Sequence, residues 1–389
     1  MIDTQFLVDN FHHYYAENCN PAIVFFAPGR INLIGEHTDY NGGYVMPLAL
    51  HRGTYITAAP NLNQSFRFYS ENFKSSYQHF FGLDTSQGKV EWFKYPMGVI
   101  DRFVKRYGWP NQGWDLYFLG DLPLSAGLSS SASVEMATAI AMDYVYQSAL
   151  PMIELVKIAK EAENEFVGLQ CGILDMFASG MGRKEHCLLI DCNSMEFTNI
   201  PFKTGDYRLI IMNTNKKRGL ADSKYNLRVK ECQLALADLQ QLVDIGFLCA
   251  LDITGFHEYG KVIKNEVNYK RARHVITENQ RTKDAAEALI ENDIQLLGKL
   301  MYESHKSLQN DYEVSGIELD CLVEASMQVE GVLGARMTGA GFGGCAIALV
   351  HKNKISDFKQ YVEKIYFEKT GLNAEFYEAY AENGACRLL

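Results

Sequence analysis

A run of small residues near the middle of the sequence has the composition of an anion-binding loop. It lies between a predicted strand that ends near Gly120 and a predicted apolar helix. A turn of this kind points backbone N–H groups and the positive end of a helix dipole at one anion. Its serine hydroxyls add donors and a candidate Mg²⁺ ligand, whereas the alternative, a helix N-cap, needs only one serine. This predicted phosphate loop, called the serine loop below, consists of Gly127, Leu128, Ser129, Ser130, Ser131, Ala132 and Ser133.

The glycine run at residues 339–344 formally matches the dinucleotide-binding fingerprint. That fingerprint should open a helix, with an acidic residue about 20 positions further on. Here residues 345–350 are apolar and predict a buried strand instead. We interpret the run as a turn between strands that packs close to another backbone. A dehydrogenase remains the alternative only if this run binds a dinucleotide. The chain contains neither a P-loop nor the catalytic motifs of protein kinases.

Arg30, Glu36, His37 and Asp39 form a second candidate site, because they fall within ten residues between apolar segments. Burying such groups is costly unless they are paired or face a cleft. One interpretation is a structural cluster of ion pairs. The other is a polar pocket for a polyol, since carboxylates accept hydrogen bonds from hydroxyl groups and can fix their stereochemistry.

Composition and charge exclude several classes of protein. The 389-residue chain has 47% hydrophobic and 22% charged residues, which is typical of a globular protein. Its net charge of −10 argues against general binding to nucleic acid or to anionic lipid. The amino terminus lacks a signal-peptide pattern and the apolar stretches are too short to span a bilayer, so we expect a cytoplasmic protein.

Cysteine usage agrees with a reducing compartment. The nine cysteines are odd in number and scattered, which is typical of buried free thiols. Cys187 and Cys192 lie five positions apart with no second pair at zinc-ribbon spacing, so the sequence does not favour a zinc site.

Strands and helices alternate through the first half of the sequence, and long charged helices follow. A chain of this length predicts two domains, and the change in texture places their boundary between residues 205 and 206, giving domains 1–205 and 206–389. Periodicity predicts strands at residues 22–26, 31–34, 44–50, 54–58, 66–70, 114–119, 207–212 and 345–350. It predicts helices at residues 4–17, 93–107, 134–145, 151–166, 223–242 and 282–302.

Four segments together resemble the galactokinases, a family of the GHMP small-molecule kinases. Residues 28–41, Pro-Gly-Arg-Ile-Asn-Leu-Ile-Gly-Glu-His-Thr-Asp-Tyr-Asn, resemble the family's own signature, which other GHMP kinases lack. Residues 122–133 resemble the phosphate loop, residues 337–345 the third motif, and residues 171–177 the segment that carries the catalytic aspartate. The likeness runs from about residue 23 to the carboxyl terminus. Departures are Ser125 and Ala126, where the family usually has glycine or alanine, and Ala340, which needs a negative φ.

The resemblance implies an α+β, two-lobed GHMP kinase fold. Its amino-terminal lobe would resemble domain 2 of ribosomal protein S5, its carboxyl-terminal lobe would be ferredoxin-like, and the active site would lie in the cleft between them. It also implies ATP-dependent phosphorylation of the anomeric C1 hydroxyl of galactose to galactose 1-phosphate, the first committed step of galactose catabolism. ATP and Mg²⁺ would be the cofactors, and the protein would be a monomer or a weak oligomer.

The resemblance also implies roles for individual residues. Asp175 would lie beside the anomeric hydroxyl, with Arg30 next to it as the second catalytic residue. Mg²⁺ would be held by Ser131 and Glu163. Trp92 and Tyr95 would lie near the adenine, and the sugar would contact Glu36, His37, Asp39, Gly172 and Tyr225.

The expected chemistry depends more on positioning than on proton removal. A positive neighbour holds a carboxylate ionised and makes it a weaker base, so Asp175 either takes the proton or orients the hydroxyl. Arg30, Mg²⁺ and the amides of the serine loop would stabilise the transferring phosphoryl group. Alternatives are a related kinase acting on N-acetylgalactosamine, arabinose or galacturonate, and a sensor that binds galactose and ATP without catalysis.

Overall fold

The strands of the computed structural model form two sheets. The structure describes residues 2–83, 92–123, 127–169, 172–216 and 221–389; Ser125, Ala126 and Cys171, named above, lie outside these ranges. The strands are β1 Ile23–Ile34, β2 Tyr44–Asn61, β3 Ser65–Ser70, β4 Ser75–Phe80, β5 Gly113–Gly120, β6 His186–Asp191, β7 Phe197–Pro201, β8 Tyr207–Asn213, β9 Val332–Thr338, β10 Cys345–His351, β11 Glu375–Ala379 and β12 Cys386–Arg387.

Each sheet belongs mainly to one half of the chain. The larger sheet has the order β12-β1-β2-β5-β3-β4, and β6 and β7 extend it from β2. The smaller sheet has the order β11-β8-β10-β9 and is antiparallel throughout. Strand β12 lies near the carboxyl terminus but pairs with Phe25 and Phe26 of β1. The larger sheet is therefore built from both ends of the sequence, and a boundary between residues 205 and 206 stays a prediction.

Helices cover both faces of the larger sheet. They are α1 Thr4–Tyr14, α2 Lys94–Tyr107, α3 Ser130–Tyr146, α4 Met152–Glu161, α5 Leu174–Met181, α6 Ala221–Leu239, α7 Ile253–Tyr259, α8 Glu266–Ile290, α9 Ile294–Ser307, α10 Gly316–Ser326 and α11 Ile355–Thr370. Helices α2 to α5 lie on one face of the larger sheet and α1 on the other, and most of the remaining helices pack around the smaller sheet. Helix α3 is rich in alanine and methionine and packs against α2, α4, β1 and β2, which confirms that it belongs to the core. Helix α4 widens into a π-type turn at Ala162–Val167. No helix in the described part of the chain has the length and apolar composition needed to cross a bilayer.

Apolar side chains join the two lobes as well as filling each of them. One core lies between the larger sheet and helices α2 to α5, and a second lies between the smaller sheet and the later helices. A third cluster combines Leu48 of β2 with Leu209 of β8 and Ile347 of β10. Because this cluster draws on both sheets, the lobes are packed together beneath the cleft.

Four predicted strands and one predicted helix differ from the structure. Residues 22–34 were expected as two strands but form the single strand β1, and residues 44–58 form the single strand β2. The helix predicted at residues 282–302 was wrong, because α8 ends at Ile290 and α9 begins at Ile294. Asn292 is left-handed, with φ 60°, and the Asp293 carboxylate caps α9 by accepting from the N–H of Leu296 at 2.9 Å.

Candidate active site

An irregularity in the pairing of β1 gives the serine loop its docking point. The register of β1 with β2 shifts between Pro28 and Arg30, and the extra residues lie on β2. A Cβ on Gly29 would lie 2.6 Å from the carbonyl oxygen of Leu128, so only glycine lets the loop approach this closely. The N–H of Arg30 donates to the same oxygen at 3.1 Å. The strand therefore fixes the position of the serine loop.

Arg30 and Asp175 form an ion pair at the centre of the site. Nε of Arg30 donates to Oδ1 of Asp175 at 2.8 Å, and Nη2 lies 2.7 Å from the same oxygen. Nη1 donates to the carbonyl oxygen of Gly127 at 3.0 Å. The Asp175 carboxylate also accepts from Ser129 Oγ, through Oδ2 at 2.5 Å. It lies in the first turn of α5, where the helix dipole stabilises negative charge.

A cavity of about 180 Å³ opens beside this ion pair. The Asp175 side chain is 33% exposed, so the carboxylate can still reach a ligand there. Both predicted catalytic residues and all five residues predicted to contact a sugar line the same cavity. Its walls are Arg30, Asn32, Gly35, Glu36, His37, Asp39, Gly172, Leu174, Asp175, Tyr225, Gly339 and Ala340.

His37 contributes a neutral polar ring to this cavity. Its backbone is left-handed, with φ 64°, which is uncommon for a residue other than glycine. Burial, assisted by the nearby His274, lowers the pKa of His37 to about 3. Its Nδ1 lies 2.9 Å from the hydroxyl of Tyr40, and that hydroxyl lies 2.7 Å from the hydroxyl of Tyr312. The ring is therefore held in place uncharged at neutral pH.

Asp39 is a carboxylate that also lines this cavity, and its pKa is raised. Burial, with a smaller contribution from the charge of Asp175, raises the pKa of Asp39 to about 6. A Cβ on Gly172 would lie 3.0 Å from Oδ2 of Asp39. Glycine at position 172 thus leaves room beside this carboxylate.

Glu36 agrees with both interpretations of the segment from Arg30 to Asp39, because it belongs to a buried ion pair and also faces a polar cavity. It lines the cavity, but it is 3% exposed and already paired. Oε1 accepts from the N–H of Gly339 at 2.8 Å, and Oε2 lies 2.5 Å from Nη2 of Arg336. Burial raises the pKa of Glu36, and Arg336 opposes that shift. The sequence reasoning missed Arg336, although a lone arginine in the apolar strand β9 was a usable signal.

A second cavity, of about 330 Å³, lies on the other side of the serine loop. Trp92 and Tyr95 form aromatic walls, and Ser130 and Ser131 at the start of α3 lie at its edge. An apolar cleft that meets a helix N-terminus suits a base and its phosphates. The remaining lining residues are Thr54, Ser70, Asn72, Phe73, Phe118, Gly120, Leu122 and Val134.

The last two residues of the serine loop are buried within α3. Ala132 and Ser133 are fully buried. Ser133 Oγ donates to the carbonyl oxygen of Ala27 at 2.7 Å, and its N–H donates to the carbonyl oxygen of Ser129 at 3.0 Å. The contact with Ala27 anchors the loop to β1, and nucleotide binding by the whole run stays a prediction.

Two buried glutamates near Ser131 fit a divalent cation. Glu163 lies in the π-type turn after α4 and is 6% exposed. Glu135 is fully buried one turn after Ser131, and neither of its carboxylate oxygens has a hydrogen-bond partner among the described residues. Burial, then the charges of Glu163 and Asp175, raises the pKa of Glu135 well above its ordinary value. A nearby cation would compensate both acids.

The described residues contain no group of three or more histidine, cysteine or acidic side chains arranged to hold a metal. Mg²⁺ usually binds one or two protein ligands and completes its shell with water and substrate phosphates. The assignment of Ser131 and Glu163 to this role stays a prediction.

The glycine run after β9 is a turn and not the start of a helix. It leads directly into β10, so the context of a dinucleotide fingerprint is missing. Gly339, Gly341, Gly343 and Gly344 have positive φ, whereas Ala340 does not, so alanine is accommodated without strain. The turn contributes Gly339 and Ala340 to the first cavity.

Family models match three regions of the chain. The galactokinase galactose-binding signature matches residues 9–60, the GHMP kinases N terminal domain residues 94–183, and the GHMP kinases C terminal domain residues 285–369. Galactokinases of Staphylococcus carnosus and Enterococcus faecalis are each 48% identical to the chain. The first alignment covers 92% of this chain and 93% of the relative, and the second 94% and 95%.

Solved structures agree with these matches. Lactococcus lactis galactokinase, crystallised with galactose, is 41% identical, with a TM-score of 0.92 over 99% of both chains. Mevalonate kinase of Methanococcus jannaschii is 20% identical, with a TM-score of 0.65 over 94% of this chain and 99% of that one, and shares the fold. The expected two-lobed GHMP kinase fold is thereby confirmed.

Proposed function

The chain belongs to the galactokinase family of the GHMP kinases, and on that premise we propose that it transfers the γ-phosphate of ATP to the anomeric C1 hydroxyl of galactose. The observation that carries this proposal is the position of Asp175. Its carboxylate faces the first cavity while it is tied to Arg30 and, through Ser129, to the serine loop. A hydroxyl beside Asp175 would therefore lie next to the loop that holds the phosphates.

Galactose occupies the first cavity in this proposal. The carboxylates of Glu36 and Asp39 accept hydrogen bonds from sugar hydroxyls, and the neutral ring of His37 adds a polar contact without charge. Tyr225 lies on α6 with its ring 5.6 Å from that of His37, so it closes the same wall. Gly172 leaves space beside Asp39. These assignments are supported by the shared cavity lining.

The reacting hydroxyl is placed by Asp175. Its carboxylate accepts the hydroxyl hydrogen and either takes the proton or aligns the oxygen for in-line attack. Arg30 pairs with this carboxylate, and its guanidinium also faces the incoming phosphoryl group, where positive charge stabilises the transition state. Positioning of this kind supplies most of the rate in phosphoryl transfer.

The nucleotide lies in the second cavity. Trp92 and Tyr95 contact the adenine, and the amides and hydroxyls of the serine loop hold the phosphates. Ser131 and Glu163 would hold Mg²⁺, which would neutralise charge on the phosphates. The buried carboxyl of Glu135 belongs to the same helix as Ser131.

A coupled ADP-release assay across a small panel of aldoses tests this function. We expect ATP-dependent turnover with galactose and much weaker turnover with N-acetylgalactosamine, arabinose and galacturonate. Faster turnover with one of those sugars would identify a related kinase instead. Galactose and ATP binding without ADP release would identify a sensor.

We also propose that the protein is cytoplasmic and is a monomer or a weak oligomer. Size-exclusion chromatography with light scattering, repeated over a tenfold range of concentration, tests the oligomeric state. A single species of dimer mass or larger at every concentration would contradict it.

A further inference from the structure

Arg336 occupies an unusual position for a charged side chain. It projects from β9 of the smaller sheet and is fully buried between the lobes. Its Nη1 donates to the carbonyl oxygen of Leu33 at 3.1 Å, and its Nη2 lies 2.5 Å from Oε2 of Glu36. A buried ion pair is weak evidence for a gain in stability, because desolvation offsets most of the attraction. The arrangement therefore needs another explanation.

A second buried carboxylate fixes Arg336 from behind. Nε of Arg336 donates to Oγ of Ser304 at 3.2 Å, and that hydroxyl donates to Oε1 of Glu278 at 2.5 Å. Glu278 also accepts from the N–H of Gly35 at 3.1 Å and pairs with Arg281 at 2.8 Å. Burial acts against ionisation, but the guanidinium groups of Arg281 and Arg336 prevail and lower the pKa of Glu278 to about 2. Arg336 thus has a permanent anion on its far side.

Glu36 is held on its near side by one short piece of chain. Arg336 contacts one carboxylate oxygen, and Gly339, three residues later, donates its N–H to the other. Both oxygens keep further acceptor capacity, because a carboxylate offers about four lone-pair sites. Glu36 lines the cavity at its edge with Gly339. Its orientation toward a ligand is therefore set by β9 and the glycine turn.

We propose that Arg336 is a positioning residue for sugar selection: it holds the Glu36 carboxylate in one orientation, so that Glu36 accepts a hydrogen bond from one particular galactose hydroxyl. This inference rests on the proposed galactose cavity. It gives β9 and the glycine turn that follows it a role on the sugar side of the site.

The test combines two variants with monodeoxygalactoses lacking the hydroxyl at C2, C3, C4 or C6. Glu36→Gln removes the charge and replaces one acceptor oxygen by an NH₂ donor, and Arg336→Lys keeps the charge but loses the guanidinium contacts. We expect Arg336→Lys to raise the KM for galactose about 10- to 100-fold, the range for a lost hydrogen bond to a charged group. Its KM for ATP should stay within about twofold of wild type, since ATP binds elsewhere.

The pattern across the sugars separates positioning from a purely structural role. In both variants the KM for galactose should become similar to the KM for one deoxygalactose, the same one in each variant. The ratio of KM between galactose and each of the other three deoxygalactoses should stay as in wild type. A uniform loss on every sugar and on ATP in Arg336→Lys, or an unchanged galactose KM, would overturn the inference. If Glu36→Gln shows no selective loss either, the proposed contact between Glu36 and galactose fails, which is a different result.

Ser304→Ala provides a second variant in case Arg336→Lys does not fold. It removes the hydroxyl that links Arg336 to Glu278 without adding a charge. We expect a smaller loss of selectivity at the same hydroxyl, about two- to tenfold in galactose KM, because the direct contact between Arg336 and Glu36 is kept. A loss of selectivity at a different hydroxyl would refute the role of Arg336. No loss of selectivity in a Ser304→Ala variant with wild-type Tm would refute it as well.

Discussion

Replacing Asp175 by asparagine tests the central assignment, because the carboxylate is nearly saturated with donors. Its two oxygens offer about four acceptor sites, and three are used by Nε and Nη2 of Arg30 and by Oγ of Ser129. The remaining site on Oδ2 faces the galactose cavity. If the amide oxygen of asparagine stays with Arg30, its NH₂ group faces both Ser129 and the sugar. An NH₂ group accepts neither a hydrogen bond nor a proton from the reacting hydroxyl.

We expect Asp175→Asn to lower kcat by about 10² or more, the lower end of the contribution from general acid–base catalysis. At about 1.36 kcal/mol per factor of ten, this is about 2.7 kcal/mol of transition-state stabilisation. The KM for ATP should change little. Initial rates of ADP release with galactose and ATP both saturating measure the effect.

Ser129→Ala is the matched control for that experiment. It removes the donor to the same oxygen but keeps the acceptor, so kcat should fall by about tenfold or less. Thermal melts and circular dichroism should show that both variants fold. A kcat for Asp175→Asn within tenfold of wild type, or a larger loss in Ser129→Ala, would refute the assignment of Asp175.

Three further changes test other parts of the site. The pKa of Asp39 is raised to about 6, and its ionised form accepts hydrogen bonds from hydroxyl groups, so kcat/KM for galactose should fall about tenfold per pH unit below pH 6. A pH profile without this fall would contradict the role of Asp39 in sugar binding, and so would the same fall in Asp39→Asn. The pKa of Glu135 is raised in the folded state. Its contribution to the free energy of unfolding is therefore fully present below the pKa of the unfolded chain, near 4.5, and is lost as pH rises, by up to about 1.4 kcal/mol per pH unit. Urea unfolding should therefore show Glu135→Gln gaining on wild type from pH 5 to pH 8, and an equal difference at both pH values would be inconsistent with this. Gly29→Ala should push the serine loop away from β1 and reduce kcat/KM by about 10². The control Gly246→Ala should leave kcat/KM unchanged, because there is open space around Gly246. Equal kcat/KM values in the two variants would contradict the docking of the loop on β1.

Local patterns predicted Arg30, Glu36, His37 and Asp39, which line the first cavity, and the helix after the serine loop. The likeness of this segment to a known signature extended the predicted site to Asp175 and Tyr225, which line the same cavity. The fold class followed from the same likeness and is confirmed. Periodicity alone was less reliable, since the helix predicted at residues 282–302 was wrong.

Contacts between distant positions could not be predicted in this way. Glu36 and Arg336 are 300 positions apart, and only the packing of the two lobes brings them within 2.5 Å. The same applies to β1, which seemed to break at Pro28. Strand β12 pairs only with Phe25 and Phe26, so Pro28 needs no N–H for that neighbour, and the strand continues.

Strand β1 also bears on how sugar kinases can change their acceptor. In the proposed function Arg30 acts on the phosphoryl group, and Glu36, just beyond the strand, contacts the sugar. Four residues of extended chain from Arg30 to Ile34 span about 13 Å, and Glu36 lies two residues further along. Mutations in the turn after Ile34 can therefore explore new acceptor specificities while the catalytic geometry is inherited intact. Libraries for engineering acceptor range are best confined to that turn and to Tyr225.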